Sequence, residues 1–217
     1  MRGRPREEDH DRFLLVEGYS DLHFAAELLE HMGFPRLGEP GSCFIKECKS
    51  KTELLKEIEV WIDPERLARA KAIGVLIDAD AAPTDTRRSL ANLLTRTTGA
   101  DLGVDGSWKA SRSKAKVGFF VVPGGGDEDV GELETLVWSA WAAHPQNAAK
   151  RACIETFHRC MKSAGSTPKS LHKGLIGSLL AIENDEDPRL GPGARANRFD
   201  LGAAAFAPLR AFLEGLR

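Results

Sequence analysis

Carboxylates recur just past the apolar runs of this chain: Glu17 directly after RFLLV (12–16), Asp78 and Asp80 at the end of AIGVLI (72–77), Glu132 and Glu134 beyond VGFFVV (117–122). If those runs are parallel strands, all three sets of acids gather beyond one sheet edge, the carboxyl edge where open α/β sheets place their sites. Residues two apart in an extended backbone share a face, so Asp78 and Asp80 are expected to project together and grip one cation. Acids crowded within a few ångström repel one another unless positive charge sits between them, and the hard, oxygen-preferring ions Mg²⁺ and Mn²⁺ supply it. Such ions orient phosphates and activate water, which points to phosphodiester chemistry. One acid at a strand end is usually a solvated cap. Three sets at one edge carry the reading.

The elements that must position these acids follow from periodicity. Strands are expected at 12–16, 73–77 and 117–122, apolar runs of the kind buried on both faces, and a further strand candidate is 42–47. Between them lie helical patterns. One starts after Ser20, with Leu22, Ala25, Ala26 and Leu29 on one face and Gly33 as its stop; one runs from Lys51 and breaks near Pro64; one carries Leu90, Leu93 and Leu94; one is ELETLVWSAW. The polar stretch 99–116 reads as a loop or small hairpin, and Gly124 to Gly126, lacking a following GK[ST], as a hinge and not a phosphate loop. Beyond Pro145 helices are expected over 147–163 and 169–183, then a loop over 184–197 and a last helix from Ala203. The fold class is therefore α/β: a mostly parallel sheet of about four strands flanked by helices, with a helical C-terminal extension. The expected division is a flexible arm over 1–11, the α/β domain over 12–143 and the extension over 144–217, packed on the same domain.

Composition sets the outer limits. The 217 residues are 42% hydrophobic, enough for a core without disulfide or metal staples. Thirty Lys and Arg against 32 Asp and Glu leave a charge of −2, so any polyanion site is a local patch. No apolar run approaches a membrane span and MRGRPREEDHDR lacks a signal-peptide core, so a cytoplasmic protein with no membrane partner is expected. Cys43, Cys48, Cys153 and Cys160 have neither zinc nor disulfide spacing and read as reduced thiols. The histidines have no HExxH-like spacing. Trp138 and Trp141, three apart on an apolar helix, read as core, whereas Trp108 beside a basic loop is a candidate for base stacking.

Two motifs add a resemblance. LLVEGYSDLHF and, later, GVLIDADAAPTD resemble the Toprim fold shared by topoisomerases, DnaG-type primases and the overcoming-lysogenization-defect (OLD) nucleases, with a glutamate after the first strand and DxD after the third. VGFFVVP followed by Gly131-Glu132-Leu133-Glu134 is similar to small stand-alone bacterial Toprim-like proteins. The resemblance implies Glu17 as a metal ligand or general acid/base, Asp78 and Asp80 as ligands, Glu134 as a further ligand in a two-ion Mg²⁺ or Mn²⁺ site, and Asp21 beside the metal or bracing it. The Leu-Glu pair is followed by Thr135 where the family has another acid, which leaves open which of Asp129, Glu132 and Glu134 reaches the site. OLD-type nucleases place a lysine near the metals, and Lys173 in SLHKGLIGSLLA is the match. Cations that can track a nucleic-acid backbone are Lys109, Arg112, Lys114 and Lys116 before the fourth strand, and Lys169 in a C-terminal segment where Lys150, Arg151, Arg159, Lys162 and Lys173 face one acid, Glu155.

The leading expectation is a metal-dependent nuclease acting on DNA or RNA, implied by the resemblance to be the effector of a phage-defence system. The only tyrosine, Tyr19, lies inside the first motif, which argues against a strand-passage enzyme. The alternative is a non-catalytic or partner-activated module that binds nucleic acid or an ATPase subunit; the chain has no Walker motif of its own. Homo-oligomerisation is left open. A haloacid-dehalogenase-like reading of IDADAAPTD is weak, because it explains nothing about VEG.

Overall fold

A computed structural model describes residues 6–123 and 130–217, so the expected glycine hinge at 124–126 and Asp129 lie outside the described residues. Strands β1 (Arg12–Val16), β2 (Phe44–Glu47), β3 (Ala72–Asp78), β4 (Lys109–Ala110) and β5 (Lys116–Val122) form one sheet in the order β2-β1-β3-β5-β4. All neighbours are parallel except β4, which runs antiparallel to β5. The three inner strands β1, β3 and β5 are apolar along most of their length because both faces are covered. Phe13, Leu15, Ile73, Val75 and Ile77 point to one side; Leu14, Val16, Ala72 and Leu76 point to the other.

The first side is closed by helices α2 (Lys51–Trp61), α3 (Pro64–Arg69) and α4 (Pro83–Thr98), through Leu54, Ile58, Leu67, Leu90 and Leu94. The second is closed by α1 (Tyr19–His31) together with α5 (Leu133–Ala143), α6 (Ala148–Ser163), α7 (Leu171–Glu183), α8 (Leu190–Arg195) and α9 (Ala207–Glu214). Phe24 of α1, Leu179 of α7 and Leu213 of α9 share one buried cluster, so the helices after Pro145 complete a face of the sheet. Fully burying side chains of this size stabilises by about 1.5–3 kcal/mol each.

The expected 14-residue loop of 184–197 is corrected by α8, LGPGAR, a turn of helix that sequence rules disfavour for its glycines and proline. It forms because Leu190 and Ala194 are buried against α1 and Arg195 pairs with buried Glu27 at 2.6 Å. The stretch 99–116 carries the short β4, so the hairpin alternative holds there. From β1 the chain passes by α1 to β2 on one side and from β2 returns to β3 on the other, which makes the crevice between β1 and β3 the topological switch point. Among the described residues no helix is long and apolar enough to cross a membrane.

Candidate functional site

At that crevice the ends of β1 and β3 are tied by a side chain. Glu17, the residue after β1, accepts through Oε1 from the Asp78 backbone N–H at 2.8 Å. Asp78, the last residue of β3, accepts through Oδ1 from the Leu133 N–H at 2.9 Å, which anchors the first turn of α5 to the strand end. Asp21, in the first turn of α1, accepts through Oδ2 from the Gly18 N–H at 2.8 Å. Each of these carboxylates thus spends an oxygen on positioning. Glu134, in the first turn of α5, is 8% exposed. Lys173 reaches across from α7 and meets Glu132 Oε2 at 2.8 Å. Glu17, Asp21, Asp78, Glu134 and Lys173 line one cavity of about 260 Å³, together with Lys49 and Ser50 from the turn after β2. Larger cavities lie elsewhere, of about 440 Å³ beside Trp141 and about 480 Å³ between α5, α6 and α7, but of these three, among the described residues, this one alone gathers four acids.

The electrostatics follow from burial and crowding. Burial raises Glu17 above the usual glutamate range, against its hydrogen bond from Asp78. Burial, reinforced by the charge of Glu17, pushes Asp21 up to about 6. Asp78 is pushed up to about 9, by burial first and then by Asp21, Glu17 and Glu134. Glu134 is raised by burial, with Lys173 opposing. Burial would pull Lys173 down, but its bond to Glu132 and the charges of Glu134, Glu132 and Asp78 outweigh that and raise it. Protons are held where negative charge is crowded and one ammonium is too little to balance it. A donor set of hard oxygens short of positive charge fits Mg²⁺ or Mn²⁺. Among the described residues the acids surround the cavity without closing into a three-ligand group.

Several expected site residues stand elsewhere. Asp80 does not project beside Asp78, because the extended backbone ends at Asp78 and Asp80 has φ 52°. Its backbone instead bridges Gly131, N–H to carbonyl at 2.8 Å and 2.7 Å, and its exposed carboxylate meets Lys51 Nζ at 2.9 Å. Gly131 itself has φ 131°, and a Cβ there would lie 2.6 Å from Thr135 Oγ1, so this bridge requires glycine. Gly18, by contrast, is extended. Glu132 is not a wall of the cavity; its carboxylate accepts from Ser170 Oγ and holds Lys173.

The basic loop is at the opposite end of the sheet. Lys116 pairs with Ala72 at the start of β3, while Val122 pairs with Asp78 at its end. Seven residues of strand separate the two by about 20 Å. Lys109 pairs with Val117 and Lys114 lies in the turn that follows, so both belong to that far end. Arg112 is a cap: its guanidinium donates to the carbonyls of Arg96, Thr97 and Thr98 at the end of α4. Trp108 is no stacking platform either. It lies stacked on Phe212, donates from Nε1 to the Phe212 carbonyl at 2.9 Å, and sits where a Cβ on Gly118 would come within 2.8 Å. Lys169 is exposed just before α7, near Ser170 and outside the cavity wall.

The residues that acid-counting overlooks are Lys49, Ser50 and Lys51. Lys51 Nζ donates to the Asp78 carbonyl at 2.9 Å as well as to Asp80, and so clamps the turn between the two acids. Their signal was available, since β2 also ends at the carboxyl edge and Ser50 caps α2.

A family model described as a protein of unknown function (DUF3226) matches residues 11–217. No curated protein matches the chain. Among solved structures the chain is similar to the C-terminal region of the OLD protein of Xanthomonas campestris pv. campestris, with a TM-score of 0.52 and 19% identity, over 94% of this chain and 90% of that one. At that identity the likeness speaks for the fold: an α/β, OLD-related Toprim-like arrangement with a mostly parallel sheet.

Proposed function

The chain belongs to the DUF3226 family, and from that premise we propose that its carboxylate cavity hydrolyses phosphodiester bonds of nucleic acid with the help of Mg²⁺ or Mn²⁺. The observation that carries the reading is the meeting of Glu17, Asp21, Asp78 and Glu134 with Lys173 around one cavity at the switch crevice. Those four acids would hold the cations, two of them by the family resemblance, and the ions when bound neutralise phosphate charge and lower the pKa of water. Lys173, held in place by Glu132, offers its ammonium to a phosphate oxygen at the cavity. Lys49, also on the cavity wall, adds a second cation for the strand. Lys51 and Asp80 keep the Asp78 turn in position from outside.

The test is cleavage of end-labelled single- and double-stranded DNA and RNA with either ion. Metal-dependent cutting lost in both Glu17→Ala and Asp78→Ala, with circular dichroism retained, is expected. Cutting that survives both substitutions removes the activity from this cavity. One observation favours a second reading, that of a module completed by a partner: among the described residues the acids line the cavity without closing into a three-ligand group. On that reading the partner is an ATPase subunit of a defence system, and the isolated chain cuts nothing until the partner is added.

A further inference from the structure

Next to the carboxylates, between α5, α6 and α7, lies the hollow of about 480 Å³. Its apolar lining is Trp138 and Leu175, both buried, with Pro168 and Leu171. Leu171, at the first position of α7, is 56% exposed at its mouth. The rim carries Arg159 and Lys162, and neither forms an ion pair among the described residues, whereas Lys150 is paired with Glu183 and Arg151 with Glu155. Glu155 also touches the hollow, with Arg151 as its partner at 3.9 Å. His158 is held by Ser178, Nε2 to Oγ at 2.9 Å.

Helices α5 and α7 line both the hollow and the carboxylate cavity. Glu134 of the cavity and Trp138 of the hollow are four apart on α5, hence on one face and about 5–6 Å apart along the axis. Lys173 of the cavity and His172 of the hollow are consecutive on α7. A short relay joins them: His172 Nδ1 is 3.1 Å from Thr135 Oγ1, Thr135 Oγ1 accepts from the Glu132 N–H at 3.2 Å, and Glu132 holds Lys173. A strand whose phosphate lies at the carboxylates therefore has the hollow as its neighbour along α5 and α7.

We propose that the hollow receives the unpaired base of the nucleotide adjoining the phosphate at the carboxylates, so that the strand is single-stranded where it is cut. This rests on the phosphodiesterase reading above. An apolar hollow with the unpaired cations Arg159 and Lys162 among its lining fits a nucleobase and the phosphate beside it, and the volume lies within the range of small-molecule sites. A base inside a duplex is stacked on both faces and cannot enter without being extruded.

The test is fluorescence anisotropy without divalent ions, using short labelled oligothymidylate, oligouridylate, the same backbone made wholly of abasic residues, and a duplex. Wild type is expected to bind the two unpaired oligomers about ten-fold or more tightly than the abasic backbone, as stacking commonly confers. In Leu171→Asp that ratio falls toward one, and in Lys162→Ala the salt dependence of binding flattens by about one unit of slope. Melting curves check that both variants are folded. Equal affinity for base-bearing and abasic strands, tighter binding of the duplex, or an undiminished ratio in Leu171→Asp overturns the proposal. Base-dependent binding without metal-dependent cutting leaves the slot standing and removes the nuclease reading; cutting that ignores the base does the reverse.

Discussion

Asp78→Asn is expected to make the metal-free protein more stable while abolishing the proposed cleavage. The carboxyl of Asp78 lies among Glu17, Asp21 and Glu134 and is pushed from 3.8 up to about 9, mainly by burial. Between those two values the folded state holds a proton that the unfolded chain has released. Stability therefore falls as pH rises through that window and is fully present only below the unfolded value. At pH 7 the window is entered by about three units, a ceiling of about 4 kcal/mol. Neighbouring acids relax when one charge goes, so about 1–2 kcal/mol is the working expectation. That corresponds to a rise of about 2–8 °C in melting temperature for a chain of this length. Asparagine keeps the carbonyl oxygen that accepts from the Leu133 N–H at 2.9 Å, so the anchor of α5 survives the change. The assay is thermal melting in EDTA at neutral and at acidic pH, then with Mg²⁺ or Mn²⁺. The variant should melt higher than wild type at neutral pH, the gain should vanish below the unfolded carboxyl range, and added ion should stabilise wild type alone, since only a state that binds ligand gains from it. A variant that melts at or below wild type in neutral EDTA refutes the account of charge crowding.

Lys173→Met should leave the fold intact and reduce cleavage by about 10²–10³, the scale for losing one preorganised charge at a reacting phosphate; a loss below ten-fold in single-turnover assays places the lysine outside the reaction. Arg112→Ala removes three donors from the end of α4 and should cost about 1–3 kcal/mol in urea denaturation without altering the salt slope of oligonucleotide binding. Trp108→Ala should cost about 3–5 kcal/mol, because it empties the seat against Phe212 and Gly118, and the surviving folded fraction should bind oligonucleotides with wild-type affinity. A selective loss of binding in either of these variants would return the basic loop to the nucleic-acid surface.

Much of the arrangement is local and was legible in the residues. Apolar runs such as AIGVLI announce strands buried on both faces because a side chain of either parity must be apolar there. Given parallel strands, their carboxyl ends must share an edge, and so Glu17 and Asp78 could be placed together before any coordinates; Lys173 came from family likeness and now faces the same cavity. Whatever depended on one torsion or on a distant partner was hidden. A single residue at φ 52° turned Asp80 out of the strand pattern and toward Lys51. The direction of β5 sent Lys109, Arg112, Lys114 and Lys116 to the far end of the sheet, although they are close in sequence to the acids that follow that strand. Trp108 joined the core only because Phe212, more than a hundred residues on, lies against it. The glycine-rich LGPGAR became helical because Leu190 and Ala194 are buried against α1, where Glu27 offers Arg195 a partner. Composition and periodicity determine which segments must be strand or helix and which must be buried, since those follow from each residue's own backbone and solvent preferences. Which charged side chains meet is decided by the tertiary structure, because Coulomb and hydrogen-bond energies depend on distances that the chain acquires only when remote elements pack.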